Sequence, residues 1–418
     1  MELAWAKFPL PLDFVSSKAG HLPNNDFSST KREGGRCVFI LNDLCYNAVI
    51  RNLNYANKMN TKGYLKSSRA RKSLKVIGIL TAAILVLFLA FIGWIWSTTL
   101  QPDQVQPASV NSSESAPRIS SGDELKLLNW NVQFMAGKGY DFYYEGGEDT
   151  RPTSEDIEET TEEVARVIRQ ENPDVILLQE VDDGAKRTDH EDQLEKLMEK
   201  LPDEYRSHAS TFYWKAAFSP HPKIMGSVGM KLSIISKYKM ETARRHQLTL
   251  KPDSWFVRQF DLKRAVLEVR FPRKEGEDLV VFNTHLTAFA FGSNVRELQV
   301  KQIKGLLEAR SESGNTWLIA GDFNLRPPGK GSGQGDNEAI KSLFDDYRAV
   351  PGYEEVNGPN PEDWYTHFPN DPEITGPDRT IDYYFLSDSV SLGDHYVRRE
   401  GALDTSDHLP VIAEVRVN

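Results

Sequence analysis

Residues 76–96 read VIGILTAAILVLFLAFIGWIW, 21 positions without a charge. At ~1.5 Å per residue, a helix over this run is roughly 30 Å long, the thickness of a bilayer's hydrocarbon core. A helix apolar on every side does not suit the surface of a water-soluble domain. The run therefore fixes the chain's organisation before anything else does. Trp94 and Trp96 lie at its end, where amphipathic rings favour the headgroup level. Lys62, Lys66, Arg69, Arg71, Lys72 and Lys75 stand before it, and no Lys or Arg follows until Arg118. The positive-inside rule then expects residues 1–75 in the cytoplasm and residues 97–418 across the membrane. A cleaved signal peptide is the competing reading, but the run is long for its apolar segment. An uncleaved, single-pass anchor is the expectation.

The rest of the chain divides around this run. Residues 1–58 show no periodicity. Met59 opens MNTKGYLKSSRARKSLK, which reads as the basic start of a membrane-inserted chain, so 1–58 is a candidate for translation from a wrong start codon. Residues 97–122 are rich in Ser, Pro and Gln and poor in apolar residues, the composition of a flexible stalk. A folded domain is expected over 123–418. Residues 1–120 hold 14 Lys and Arg against 7 Asp and Glu (net +7), leaving 36 against 53 (net −17) in residues 121–418. That acidity disfavours nucleic acid, whose binding rests on basic groups along the phosphates. The two cysteines, Cys37 and Cys45, both precede the apolar run. A metal site in the domain must therefore use oxygen and imidazole ligands.

Within the domain, short apolar runs alternate with helical spacing. Strands are expected at 125–132, 175–178, 232–235, 265–269, 279–282, 317–320, 381–386 and 411–417. Helices are expected around Ile157–Ile168, with Thr153 or Ser154 as cap, around 194–201 and around 298–307. Some strands follow one another with no helix between, which predicts a mixed α/β protein with two sheets. The two halves share only a loose similarity. Residues 212–230, rich in aromatics, Pro and Gly, are a candidate substrate-lining loop or a surface loop packed on the domain.

The strands end in a recurrent chemistry. The run WLIA at 317–320 stops in Gly321-Asp322-Phe323-Asn324, and an extended chain would put Asp322 and Asn324 on one side. Others end in Asn129-Trp130-Asn131, Gln179-Glu180, Asn283-Thr284-His285 and Ser406-Asp407-His408, and Arg379-Thr-Ile-Asp382 heads a further one. A hard divalent cation takes one or two carboxylates, and Glu180 is placed to supply one. Phosphodiester hydrolysis needs a base for water, positive charge at the phosphoryl oxygens and an acid for the leaving oxygen. Asp and His at these ends cover each role. Lys186 and Arg187, just beyond the QEV run, could reach a substrate phosphate or form an exposed loop pair. Asp382 could instead pair with Arg379. His190, His208, His221, His246, His367 and His395 match no pattern and read as surface or core residues.

Six of these segments, LNWNVQ (128–133), ILLQEV (176–181), FNTHL (282–286), IAGDFN (319–324), RTIDYYF (379–385) and TSDHLPV (405–411), resemble in order and wording the endonuclease/exonuclease/phosphatase superfamily, over roughly residues 125–418. The superfamily includes deoxyribonucleases, neutral sphingomyelinases and inositol-polyphosphate 5-phosphatases. The resemblance implies a four-layered α/β sandwich, with two mixed β-sheets flanked by helices, and hydrolysis dependent on Mg2+, with Mn2+ as alternative. By position it implies Glu180 as principal metal ligand, with Asn131 beside metal and phosphate and Asp407 supporting the metal. Asp322 would orient or deprotonate water, Asn324 would help to place it, and His285 would contact phosphate or protonate the leaving group. His408 would bind the phosphoryl oxygens, oriented by Asp382; a carboxylate partner fixes an imidazole's tautomer. Arg379 joins Lys186 and Arg187 as a candidate substrate contact. Fold analogy does not choose a substrate. Acidity and the anchor favour a lipid or small-molecule phosphodiester, as in the sphingomyelinase branch. An extracytoplasmic nuclease and a silent binding module are the alternatives.

Overall fold

The computed structural model describes residues 68–418 apart from 144–148, 289, 291, 330–336 and 372, with side chains from residue 71 and backbone only at 337. The expectations for residues 1–58, Met59, Lys62 and Lys66 lie outside the described residues. The chain divides into two compact units, 1–91 and 92–418.

The apolar run forms one helix, α1 (Ser68–Thr98), in which Arg71–Thr98 is long and apolar enough to cross a bilayer. Its side chains from Leu74 to Leu89 are exposed, as a helix without a soluble core against it would be. The expected stalk is not one. Val105–Pro107 (β1) and Ser109–Ser112 (β2) are paired strands, separated only by Ala108. Their side chains are mostly exposed, so their composition carries no apolar signal. Backbone hydrogen bonds rather than burial hold them in place.

The strands that follow are β3 (Glu124–Asn131), β4 (Val175–Asp182), β5 (Ser207–Ser219), β6 (Gly226–Ser236), β7 (Thr242–Gln247), β8 (Ala265–Phe271) and β9 (Leu279–His285). Then come β10 (Thr316–Asp322), β11 (Arg348–Val350), β12 (Asp382–Leu386), β13 (Val390–Val397) and β14 (Val411–Val417). Among the described residues they make two seven-stranded sheets, β13-β14-β3-β4-β6-β5-β2 and β11-β12-β10-β9-β8-β7-β1. In both, the third and fourth strands are parallel (β3 with β4, β10 with β9) and every other pairing is antiparallel. The loose likeness between the halves is thus a repeated pairing pattern. Residues 212–230 are not a loop: they are most of the β5–β6 hairpin, in which alternating apolar residues supply the strands and Pro220 and Pro222 lie in the turn.

Three apolar clusters account for the layers. Leu127, Leu177 and Leu232 of one sheet meet Leu267, Val281 and Leu318 of the other in the central core. Helices α2 (Ser154–Glu171) and α3 (Gln193–Lys200) cover the first sheet through Val164, Ile168, Leu194 and Leu197. Helices α5 (Val295–Glu312) and α6 (Asn337–Asp346) cover the second through Val300, Ile303, Ile340 and Leu343. The order is helix, sheet, sheet, helix. The Thr153 hydroxyl accepts the Asp156 N–H and caps α2, as expected. A short helix, α4 (Trp255–Phe260), precedes β8, and α7 (Tyr353–Val356) follows β11.

Candidate active site

The two parallel pairs, β3/β4 and β9/β10, bring their C-terminal ends to one rim of the sandwich. The first polar residue of three strand ends joins the sheets. Gln179 Nε2 donates to Asn129 Oδ1 (2.9 Å) and to Asn283 Oδ1 (2.8 Å), and Asn283 Nδ2 donates to the carbonyls of Leu178 and Ser233 (2.9 Å each). Buried polar groups need such partners. Asn129, Gln179 and Asn283 therefore clamp one sheet to the other, and Asn131, Glu180 and His285, further along the same strands, face the rim.

Asp322 lies at the centre of that rim. Its Oδ2 accepts from Asn131 Nδ2 at 3.1 Å and lies 3.2 Å from His285 Nε2 and 3.6 Å from His408 Nε2. Its Oδ1 accepts the Asn324 N–H at 2.9 Å. The preceding Gly321 is required by close approach: a Cβ there would lie 2.0 Å from the Thr284 carbonyl oxygen of β9. On the far side, His408 Nδ1 pairs with Asp382 Oδ2 at 2.8 Å, and the Thr366 hydroxyl donates to the same oxygen at 2.6 Å. Asp382 Oδ1 is buried without a hydrogen-bond partner.

Glu180 is aimed by a β-bulge. Between Leu178 and Val181 the β4–β6 register gains one residue on β4, and Glu180 takes φ +59°. Left-handed geometry at a side-chain-bearing residue costs about 1–3 kcal/mol and recurs where function sets the backbone. The bulge turns the carboxylate to the rim, where Oε1 accepts from Asn131 Nδ2 at 3.3 Å and lies 3.9 Å from His285 Nδ1.

The charges separate by environment. Burial, then the Asp407 carboxylate, pushes Glu180 up to about 7. Burial also pushes Asp322 up to about 7, against the pull of the His408 cation. Burial and the cations of Arg264 and His408 hold His285 neutral, well below the usual imidazole range. Burial opposes charge on His408 as well, but Asp382, Asp322 and Asp407 outweigh it and keep that imidazole protonated. A near-neutral carboxylate thus touches one neutral and one cationic imidazole, a set able to take and give protons near pH 7.

A carboxyl whose folded pKa is raised stabilises the fold fully below its unfolded pKa and loses that contribution as pH rises through the folded value. For Glu180 and Asp322 the window runs from about 4 to about 7. The metal-free protein should therefore melt at a lower temperature at pH 8 than at pH 5. Thermal unfolding in excess chelator checks this, and a flat or rising profile over that window would contradict the charge state described here.

The structure brings together Asn131, Glu180, His285, Asp322, Asp382, Asp407 and His408, and it gives the side chains of four other expected residues partners of their own. Phe323 and Asn324 leave the extended strand, with Asn324 at φ +52°. Its carboxamide donates to the Leu286 carbonyl (3.2 Å), and it is the backbone N–H that meets the Asp322 carboxylate. Arg187 turns back to Asp182 with two hydrogen bonds (2.8 and 3.0 Å) over the Phe134 ring. Its charge favours ionised Glu180. Lys186 donates to the Met225 carbonyl. Arg379 grips Asp378, which leaves Asp382 to His408.

Other residues join unannounced. The Tyr213 hydroxyl is 3.3 Å from His285 Nδ1. The Arg264 guanidinium, buried and with Nη1 lacking a hydrogen-bond partner, lies over the Tyr213 ring at 5.4 Å. His367 stands edge-on to His408 with ring centres 4.8 Å apart and Asp378 behind it. Asp322, Asp382 and His408 form one group whose ligand-type atoms lie within 4.8 Å of one another, and His367, Asp407 and His408 form a second.

The model of the Endonuclease/Exonuclease/phosphatase family matches residues 128–408. The chain belongs to that family. Among solved structures, an endonuclease/exonuclease/phosphatase from Beutenbergia cavernae is 23% identical, with a TM-score of 0.50 over 71% of this chain and 72% of its own. The human Nocturnin catalytic domain is 17% identical over 75% of this chain and 99% of its own, with a TM-score of 0.46. TDP2 from C. elegans is 16% identical over 71% and 76%, with a TM-score of 0.45. No curated protein sequence matches the chain. Members of the endonuclease/exonuclease/phosphatase family are generally hydrolases of phosphoester bonds that use a divalent metal ion, and this rim holds Asp and His groups able to bind one.

Proposed function

We propose that the chain is a membrane-anchored, Mg2+-dependent phosphodiesterase acting on a lipid or small-molecule phosphodiester in the manner of the sphingomyelinase branch. The observation that carries the chemistry is the Asp322 carboxylate, held near neutrality between neutral His285 and cationic His408. Asp322 takes a proton from the attacking water, and Asn131 Nδ2 holds the carboxylate in place. The His408 cation, locked by Asp382, binds the phosphoryl oxygens as their charge grows. His285 stands beside Asp322 to contact the phosphoryl group or pass a proton to the leaving oxygen.

The donor set fits a hard cation. Burial, then the Asp407 carboxylate, holds Glu180 near neutrality, so a cation beside the two would be favoured, and Asp382 keeps an orphan oxygen. Glu180, with Asn131 and Asp407 near it, would hold Mg2+, or Mn2+ in its place. When bound, the ion supplies positive charge for the phosphoryl oxygens.

The basic flank of α1 supports an anchor with its N-terminus in the cytoplasm and the catalytic unit outside. The net charge of −17 over residues 121–418 weighs against long nucleic acid. The test is hydrolysis by the full chain in detergent with Mg2+, run in parallel on bis(p-nitrophenyl) phosphate, sphingomyelin, a lysophospholipid and plasmid DNA. Chelator-sensitive cleavage of lipid but not DNA is expected. Cleavage of DNA alone would make the protein a nuclease, and no cleavage of any would favour a binding module.

A further inference from the structure

Near the site, α4 opens with two large side chains that the core does not take. Trp255 is 48% exposed and Phe256 45%. Phe256 touches Phe260 edge-on at 5.3 Å, and the Ser254 hydroxyl caps the helix. What holds α4 from behind is the chain just after α1. Buried Gln259 accepts at its Oε1 from the Thr99 hydroxyl (3.3 Å) and from Gln101 Nε2 (2.7 Å). Thr99 bridges Ala216, and the Leu100 N–H donates to the Lys215 carbonyl at 2.8 Å. Just before Thr99, Ile95 is buried while Trp94 and Trp96 are exposed. Trp94, Trp96, Trp255 and Phe256 thus belong to one compact unit, tied through Thr99 and Gln259 at the end of the apolar helix. Amphipathic aromatic rings in that position favour the boundary between headgroups and acyl chains.

The same segment runs on to the catalytic rim. The Trp214 indole donates to the Phe260 carbonyl at 2.8 Å, and the Lys263 N–H donates to the Tyr213 carbonyl at 2.6 Å. The Tyr213 hydroxyl in turn meets His285. We propose that α4 is a second membrane contact, with Trp255 and Phe256 seated in the headgroup layer of the bilayer that α1 crosses. The substrate is then a phosphodiester lipid of that bilayer, delivered at the His285 side of the site. The inference rests on the proposed function's reading of α1 as a membrane anchor.

The test uses the full chain with Cys37→Ser and Cys45→Ser, reconstituted in phosphatidylcholine–phosphatidylglycerol vesicles. One variant adds Phe256→Cys and another adds Tyr353→Cys, at an equally exposed position on α7. Each carries an environment-sensitive fluorophore. The expected result is blue-shifted emission at 256, shielded from aqueous iodide in vesicles, with position 353 remaining accessible. A chain removed from vesicles by alkaline wash overturns the anchor and the proposal with it. A retained chain whose label at 256 is as accessible as that at 353 overturns the proposal alone. The paired substitution Trp255→Ser and Phe256→Ser should raise KM for a vesicle lipid severalfold and leave KM for bis(p-nitrophenyl) phosphate unchanged. An equal change for both substrates counts against it.

Discussion

Asp322→Asn lowers kcat by roughly 10²- to 10⁴-fold, the usual contribution of a positioned acid or base, and leaves the fold in place. The amide has the shape of the carboxylate and can still accept the Asn324 N–H, but it cannot take a proton from water. Its neighbour His408 loses one of the three carboxylates that keep it charged. Stability should follow pH differently from activity. The wild-type carboxyl is buried and pushed up to about 7, so above that pH the fold carries the cost of a desolvated charge, and the amide removes it. The variant loses the bond from Asn131 at every pH, so its melting temperature should fall short of wild type by less at pH 8 than at pH 5. Turnover and thermal unfolding on the same preparation check both halves, and a wild-type rate would remove Asp322 from the chemistry.

Glu180→Gln abolishes the response to metal. A cation at one hundred times its dissociation constant stabilises the folded state by about 2.7 kcal/mol. The wild-type melting temperature should therefore rise on adding Mg2+ and fall back with chelator. In the variant the left-handed backbone at 180 remains, as does the partnership with Asn131, but the anionic ligand is gone. Both the melting shift and Mg2+-dependent turnover should disappear. A variant that melted higher with Mg2+ by as much as wild type would place the ion elsewhere, with the His367, Asp407 and His408 group the first place to look.

Part of the site was legible because several of its residues lie at the ends of apolar strands, where periodicity locates the strand and its last residues mark the rim. Glu180, His285 and Asp322 were placed in this way, whereas Asp407 and His408, expected at a strand's end, lie in the loop that leads into β14. Tyr213, Arg264 and His367 were not, because no local pattern marks them. Tyr213 sits mid-hairpin among other aromatics, Arg264 before a strand, and His367 in a loop, and only packing of the two sheets brings them to the rim. Charged residues misled in the opposite direction. Arg187 and Arg379 look available in the sequence, yet each has a carboxylate partner five residues or fewer away, at Asp182 and Asp378. Asn324 was misplaced because alternation holds only while the chain stays extended. The polar residues 105–112 were read as a tether because edge strands bury little and so leave almost no trace in composition.

Those eight residues also decide where a working enzyme can be cut. One continuous stretch closes the β7 edge of one sheet and the β5 edge of the other. Trimming the protein to residues 123–418, where the apolar patterning begins, would bare both edges at once. Each would present a row of unpaired N–H and C=O groups, a template on which further copies can add strand by strand. A fragment starting at Thr99 should stay monomeric, whereas one starting at Asp123 should self-associate. Proteolytic nicking within 105–112 would then convert an enzyme into a seed for aggregation.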